Sequence, residues 1–242
     1  MLSAGTRIGP YNVQEWIREG FCGQSYSGEA SSGEEKGQLK YLKLFYRELS
    51  EKEGFTDYFS QECRAIQQIE GRGVWPMLAS GTLKWKHWIS FAWFDGKIVQ
   101  VPTPSQSEDK EFEEVALRSL ADWLDHDSNR IGPEELKSII IDMHCGLNRA
   151  HASGVIHGNL KPSNILLKEK EDGDFVAWIS EFALAKVCCF QPLGDDIKNV
   201  TAFSSQSLQY QDSLNESQAY RPPDTNLLEI PEESWDLVAM GS

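Results

Sequence analysis

The chain is poor in positive charge. Its 23 Lys and Arg stand against 37 Asp and Glu, a formal net charge of −14 over 242 residues. A protein that grips nucleic acid or an anionic membrane needs a basic face, so the composition argues against a general binder of either kind. Cysteine is scarce as well. Cys22, Cys63, Cys145, Cys188 and Cys189 are odd in number and scattered, and no CxxC pair occurs. That usage speaks against a zinc site or a disulfide framework and suits a reducing compartment. No apolar run approaches the ~20 residues a membrane span needs, and the first residues lack the charged-then-apolar pattern of a secretion signal. The expectation is a soluble cytoplasmic protein with no nucleic-acid and no membrane partner. A hydrophobic content of 40% still supplies a core for one large domain or two small lobes.

The hydrophobic pattern changes character along the chain. Tyr11 to Ala30 reads as strand, glycine turn, strand, the turn being Arg18-Glu19-Gly20-Phe21-Cys22-Gly23. Gln38 to Tyr46 alternates around Lys43 as a strand, and Phe59, Cys63, Ile66 and Ile69 recur at helical spacing within Phe55 to Ile69. Two further strands follow, Trp75–Leu83 and His87–Trp93. Thr103 to Glu114 is polar and charged and reads as a solvated insertion or the start of a helix. Ser119–Leu124 is a short helix. Pro133–Ser153 is a long one, with Pro133 in the first turn and Gly154 as its stop. Ile165–Leu167 and Phe175–Ile179 read as strands, Val187–Gln218 as an irregular Ser-rich stretch, and Trp235–Gly241 as a helix.

The chemistry concentrates in His157-Gly158-Asn159-Leu160-Lys161-Pro162-Ser163-Asn164, a polar turn between a helix and a strand. It resembles the catalytic loop of the protein kinases, whose pattern is His-Arg-Asp-Leu-Lys-Pro-x-Asn. Other blocks follow the same family in the same order. They are the glycine turn, Lys43 with Glu62 19 residues later, Glu181-Phe182-Ala183 for Asp-Phe-Gly, and Tyr220-Arg221-Pro222-Pro223-Asp224 for the Ala-Pro-Glu block. The resemblance runs from Tyr11 to Gly241. It implies an α+β, two-lobed protein-kinase-like fold: an antiparallel β-sheet lobe over residues 1–95 and a mostly helical lobe over 96–242. A full lobe of this family continues past its central helix, so the chain reads as a piece of a longer protein.

The same resemblance assigns roles. Gly20, Gly23, Lys43, Glu62 and Asn164 are the nucleotide-binding positions, with Lys43 and Glu62 as an ion pair. Asn159 and Lys161 are the catalytic positions. Asn164 and Glu181 are the metal positions, and ATP and Mg²⁺ are the implied cofactors. Phe91 guards the back of the pocket, and Trp93 to Gly96 join the lobes. His157, Phe182, Ile66 and Met77 or Leu78 form an apolar column between the lobes.

Several positions depart from the pattern. Asn159 offers an amide where the family has a carboxylate, so it cannot take a proton near pH 7. Glu181 is one methylene longer than Asp. Ala183 replaces Gly, and Gly158 replaces the Arg that reads activation-segment phosphates. Arg18 takes the place of the first loop glycine, Ser25 of an apolar roof residue, and Tyr41 of a small Ala over the adenine ring. The expectation is a pseudokinase serving as a binding or regulatory module with a protein partner. The alternatives are a weakly active ATP-dependent Ser/Thr protein kinase, and a kinase-fold enzyme acting on small molecules, to which Gly158 points.

Overall fold

The structure is a computed structural model that describes residues 1–20, 22–102, 112–182, 184–188, 218–225 and 229–241. Ala183 and the Ser-rich stretch from 189 to 217 lie outside the described residues. The first lobe is built on a six-stranded antiparallel sheet: β1 (Arg7–Ile8), β2 (Tyr11–Gly20), β3 (Gly23–Ala30), β4 (Leu39–Phe45), β5 (Met77–Leu83) and β6 (Lys86–Ala92). The spatial order is β1-β2-β3-β4-β6-β5. A Cβ on Gly23 would run into the carbonyl of Leu44, so glycine is what lets β3 lie against β4 at this point.

Register fixes which side chains meet. Tyr41 and Lys43 are two residues apart on β4 and so face the same side of the sheet. Their cross-strand partners are Ser27 and Ser25 on β3 and Phe91 and Ile89 on β6. That face looks toward helix α2 (Phe55–Gln67), preceded by the short α1 (Arg47–Ser50). Phe55, Phe59, Glu62, Cys63 and Ile66 are the buried residues of α2, at the three- and four-residue spacing of one helical face.

The second lobe opens with a ribbon, β7 (Lys97–Pro102) paired with β8 (Phe112–Leu117). This corrects the reading of Thr103 to Glu114 as an insertion or helix start: Phe112 to Glu114 are strand, and 103–111 lie outside the described residues. The exposed side of the ribbon carries charges that broke the alternation. Helix α3 (Leu120–Asp127) begins in a capping box, Ser119 accepting from Asp122 N while the Asp122 carboxylate accepts from Ser119 N. Helix α4 (Pro133–Ala152) carries Pro133 in its first turn and ends before Gly154, as its sequence predicts. The hairpin β9 (Ile165–Glu169) with β10 (Phe175–Ile179) lies on α4, and α5 (Leu184–Cys188) and α6 (Glu233–Gly241) follow.

One buried cluster runs through both lobes and contains Ile66, Met77 and Phe182 together. The His157 ring meets Phe182 edge-on at 5.2 Å, so the predicted apolar column is present. Cys63 and Cys145 are free thiols, but Cys22 is disulfide-bonded. Sequence spacing does not reveal which sulfurs fold close together.

Candidate active-site cleft

The polar loop is held from below. Asp236 of α6 is fully buried and accepts from His157 N at 2.9 Å, from Gly158 N at 2.7 Å and from His151 Nε2 at 2.8 Å. The His157 ring is neutral. Its Nε2–H donates to Ser180 O at 2.8 Å and its Nδ1 accepts from Asn159 N at 3.2 Å. Burial pushes its pKa down, against the pull of Asp236 and the Ser180 carbonyl. Gly158 has φ of +72°, a left-handed conformation that costs a side-chain-bearing residue. The sequence shows this position as a missing Arg and as a pointer to small-molecule kinases; the backbone itself asks for glycine.

Asn164 Nδ2 donates to Asn159 O at 2.9 Å, which ties the two ends of the loop. Lys161 is buried beside them. Asn159 Oδ1, Ser163 Oγ and Asn164 Oδ1 are buried with no hydrogen-bond partner among the described residues. Such atoms are rare in folded proteins and mark a place where a donor or cation is missing.

Above the loop, Ser180 is fixed by two bonds to Asn164 O, from its N at 2.9 Å and its Oγ at 3.0 Å. Glu181 then takes φ of +61°, one of two non-glycine residues with positive φ among those described. That turn sends its carboxylate up into the first lobe. Lys43 Nζ donates to Glu181 Oε2 at 2.8 Å, Arg18 Nη2 lies 3.4 Å from Oε1, and the Tyr41 hydroxyl lies 3.3 Å from Oε1. Tyr41 Oη is also 2.6 Å from Ser25 Oγ. Burial alone would raise the Glu181 pKa. Lys43, then Arg18, and also Lys161 outweigh it and hold the carboxyl at about 2.

The expected ion pair between Lys43 and Glu62 is not formed. Glu62 is buried on α2, and its partner is Lys186 of α5 at 3.0 Å. α5 docks against α2, with Tyr58 Oη donating to Lys186 O at 3.3 Å. The structure therefore brings Lys43, Glu181, Lys161, Asn159 and Asn164 to one cleft and leaves Glu62 engaged behind it. Gly20 and Gly23 pair across the β2–β3 turn. The residue that sequence reasoning missed is Arg18. Its signal was present: a cation had entered the glycine turn in a chain that had also lengthened the facing acid. Arg18, Ser25, Tyr41 and Glu181 are all departures from the kinase pattern, and they form one hydrogen-bonded group around Lys43.

Two carbonyls at the segment linking the lobes also accept hydrogen bonds from side chains. Trp75 Nε1 donates to Ala92 O at 3.0 Å, and Arg118 Nε donates to Phe94 O at 3.0 Å. Among the described residues no helix is long and apolar enough to cross a membrane, and no cluster of His, Cys, Asp and Glu is arranged to hold a metal ion.

No protein-family model matches the chain. Among curated proteins it is similar to the Serine/threonine-protein kinase PknJ of Mycobacterium tuberculosis, 24% identical over 185 residues, or 76% of this chain and 27% of PknJ. It is likewise similar to PknH of Mycobacterium bovis, 26% identical over 184 residues, or 75% of this chain and 26% of PknH. The chain thus spans about a quarter of the length of these relatives. Among solved structures, the Mycobacterium tuberculosis PknI kinase domain superposes with a TM-score of 0.56 at 16% identity, covering 76% of this chain and 64% of that domain. The two-lobed arrangement is therefore the protein-kinase fold.

Proposed function

We propose, from the premise that this chain is a kinase-fold protein related to Ser/Thr protein kinases, that it is a pseudokinase: a fold kept for binding and regulation whose phosphoryl-transfer centre is out of use. The observation that carries this reading is the Glu181 carboxylate, held in the cleft by Lys43, Arg18 and Tyr41. Phosphoryl transfer depends on positioned cations that neutralise the moving charge. Here the cation on β4 is already neutralised from within.

The remaining parts agree. Mg²⁺ is held through carboxylates in near-ideal octahedral geometry. Both Glu181 oxygens face cations or a hydroxyl, which leaves Asn164 Oδ1 without an acidic companion. The residues as arranged do not fit Mg²⁺. Asn159 positions a hydroxyl by hydrogen bond but takes no proton, and loss of a general base costs on the order of 10²–10⁴ in rate. The module acts by binding a protein partner; exposed Leu136, Ile140 and Ile141 on α4 and Leu237 and Val238 on α6 offer apolar surface. A cytoplasmic site of action belongs to the same proposal. The free thiols of Cys63 and Cys145 favour it and the Cys22 disulfide speaks against it, so alkylation of the cysteines in cells decides.

Incubation with γ-labelled ATP and Mg²⁺ and mixed protein acceptors tests the proposal. No label should pass to protein. Transfer that disappears in Lys43→Ala would overturn it. The second reading, a slow Ser/Thr protein kinase, is favoured by Lys161 and Asn164, which lie buried beside Asn159 at the loop. It requires Asn159→Asp to raise the rate sharply.

A further inference from the structure

The space left in the cleft says what it accepts. A cavity of ≈ 270 Å³ remains between the lobes, its walls including Ile17, Tyr41, Trp93, Phe94 and Leu166. Sites for drug-sized ligands run to about 300–1,000 Å³, so this one is at the small end. Its aromatic walls suit a flat ring that stacks. Ser163 lines the same cavity, but its Oγ is buried away from it, so the walls recognise a ligand mainly through their apolar and aromatic faces. The Ala92 and Phe94 carbonyls each already accept one hydrogen bond, from Trp75 and Arg118, and the aromatic walls supply stacking area.

We propose that Glu181 is a built-in anion that makes the cleft selective for phosphate-free ligands, admitting a flat, uncharged heterocycle of one or two rings and refusing nucleoside triphosphates. The proposal deepens the pseudokinase reading and rests on it. Glu181 lines the cavity, and Lys43 and Arg18 both point at its carboxylate. A phosphate entering there either competes for those cations or sits beside a second negative charge, and both are unfavourable in a buried site. An uncharged ring meets neither obstacle. Glu181 holds this position despite φ of +61°, so the contacts around it outweigh the backbone preference.

Adenosine and ATP form a matched pair of probes that differ in the phosphates alone. Calorimetric titration of the whole chain, without and with Mg²⁺, should give adenosine at least about tenfold tighter binding than ATP. In Glu181→Ala the gap should close, ATP gaining about tenfold or more while adenosine changes little. Glu181→Gln keeps the side chain's size and removes its charge, and should move the ratio in the same direction if the alanine variant does not fold. ATP binding as tightly as adenosine to the unaltered chain overturns the proposal. So does an unchanged ratio in both variants, or no binding of adenosine. None of these outcomes requires phosphate transfer, so the proposal fails separately from the pseudokinase reading.

Discussion

Lys43 Nζ lies 2.8 Å from Glu181 Oε2, while Glu62 is given to Lys186 at 3.0 Å. One exchange of partners thus links the sheet, helix α2 and the segment after Phe182. The extra methylene of Glu181 and its left-handed backbone let the carboxylate reach β4. Docking of α5 on α2 then supplies Glu62 with a replacement cation.

Acid should reveal the Glu181 pairing. Its carboxyl is held at about 2, below the ordinary 4.5, so between those values the unfolded chain binds more protons than the folded one. The stabilisation is complete above about pH 4.5 and is lost as pH falls toward 2, on the order of 3 kcal/mol. His157 adds an earlier window. Its pKa is lowered by burial, so stability starts to fall as pH drops below 6.5. Urea midpoints measured from pH 8 to 2.5 should show both losses, and Glu181→Gln should remove the lower one alone.

Asp236 supports the loop through two hydrogen bonds from the loop's backbone. Asp236→Ala strips the acceptor from His157 N and Gly158 N, both buried. Each unsatisfied buried N–H costs about 1–3 kcal/mol, so thermal or urea unfolding should show a loss of about 3 kcal/mol or more. Asp236→Asn keeps one acceptor oxygen and should lose less.

Restoring the loop acid should not restore an enzyme. Asn159→Asp returns a base, yet Glu181 still holds Lys43 and no acidic metal site forms. Labelled-phosphate transfer by Asn159→Asp should stay at background. A rise of 10² or more would favour the slow-kinase reading.

The sheet, α2, α4 and the His157 loop were legible because their apolar residues recur at strand or helix spacing and their ends carry glycine and proline. Lys43, Glu62 and Asn164 were each found as positions, but the partner of Lys43 was not. Pairing depends on how far a side chain reaches and where α5 docks, and neither has a periodic signature. The β7–β8 ribbon was half hidden because the consecutive Glu113 and Glu114 put charge on both faces of β8 and so break the alternation. Arg18 looked like the loss of a glycine when it was the gain of a partner for Glu181.

A pair of double-mutant cycles tests the central claim most directly. Unfolding free energies are needed for Lys43→Met, Glu181→Gln, Glu62→Gln and the two double variants containing Lys43→Met. The account predicts a coupling of about 1–3 kcal/mol between Lys43 and Glu181, and less than about 0.5 kcal/mol between Lys43 and Glu62. Strong coupling of Lys43 to Glu62, with none to Glu181, would contradict it.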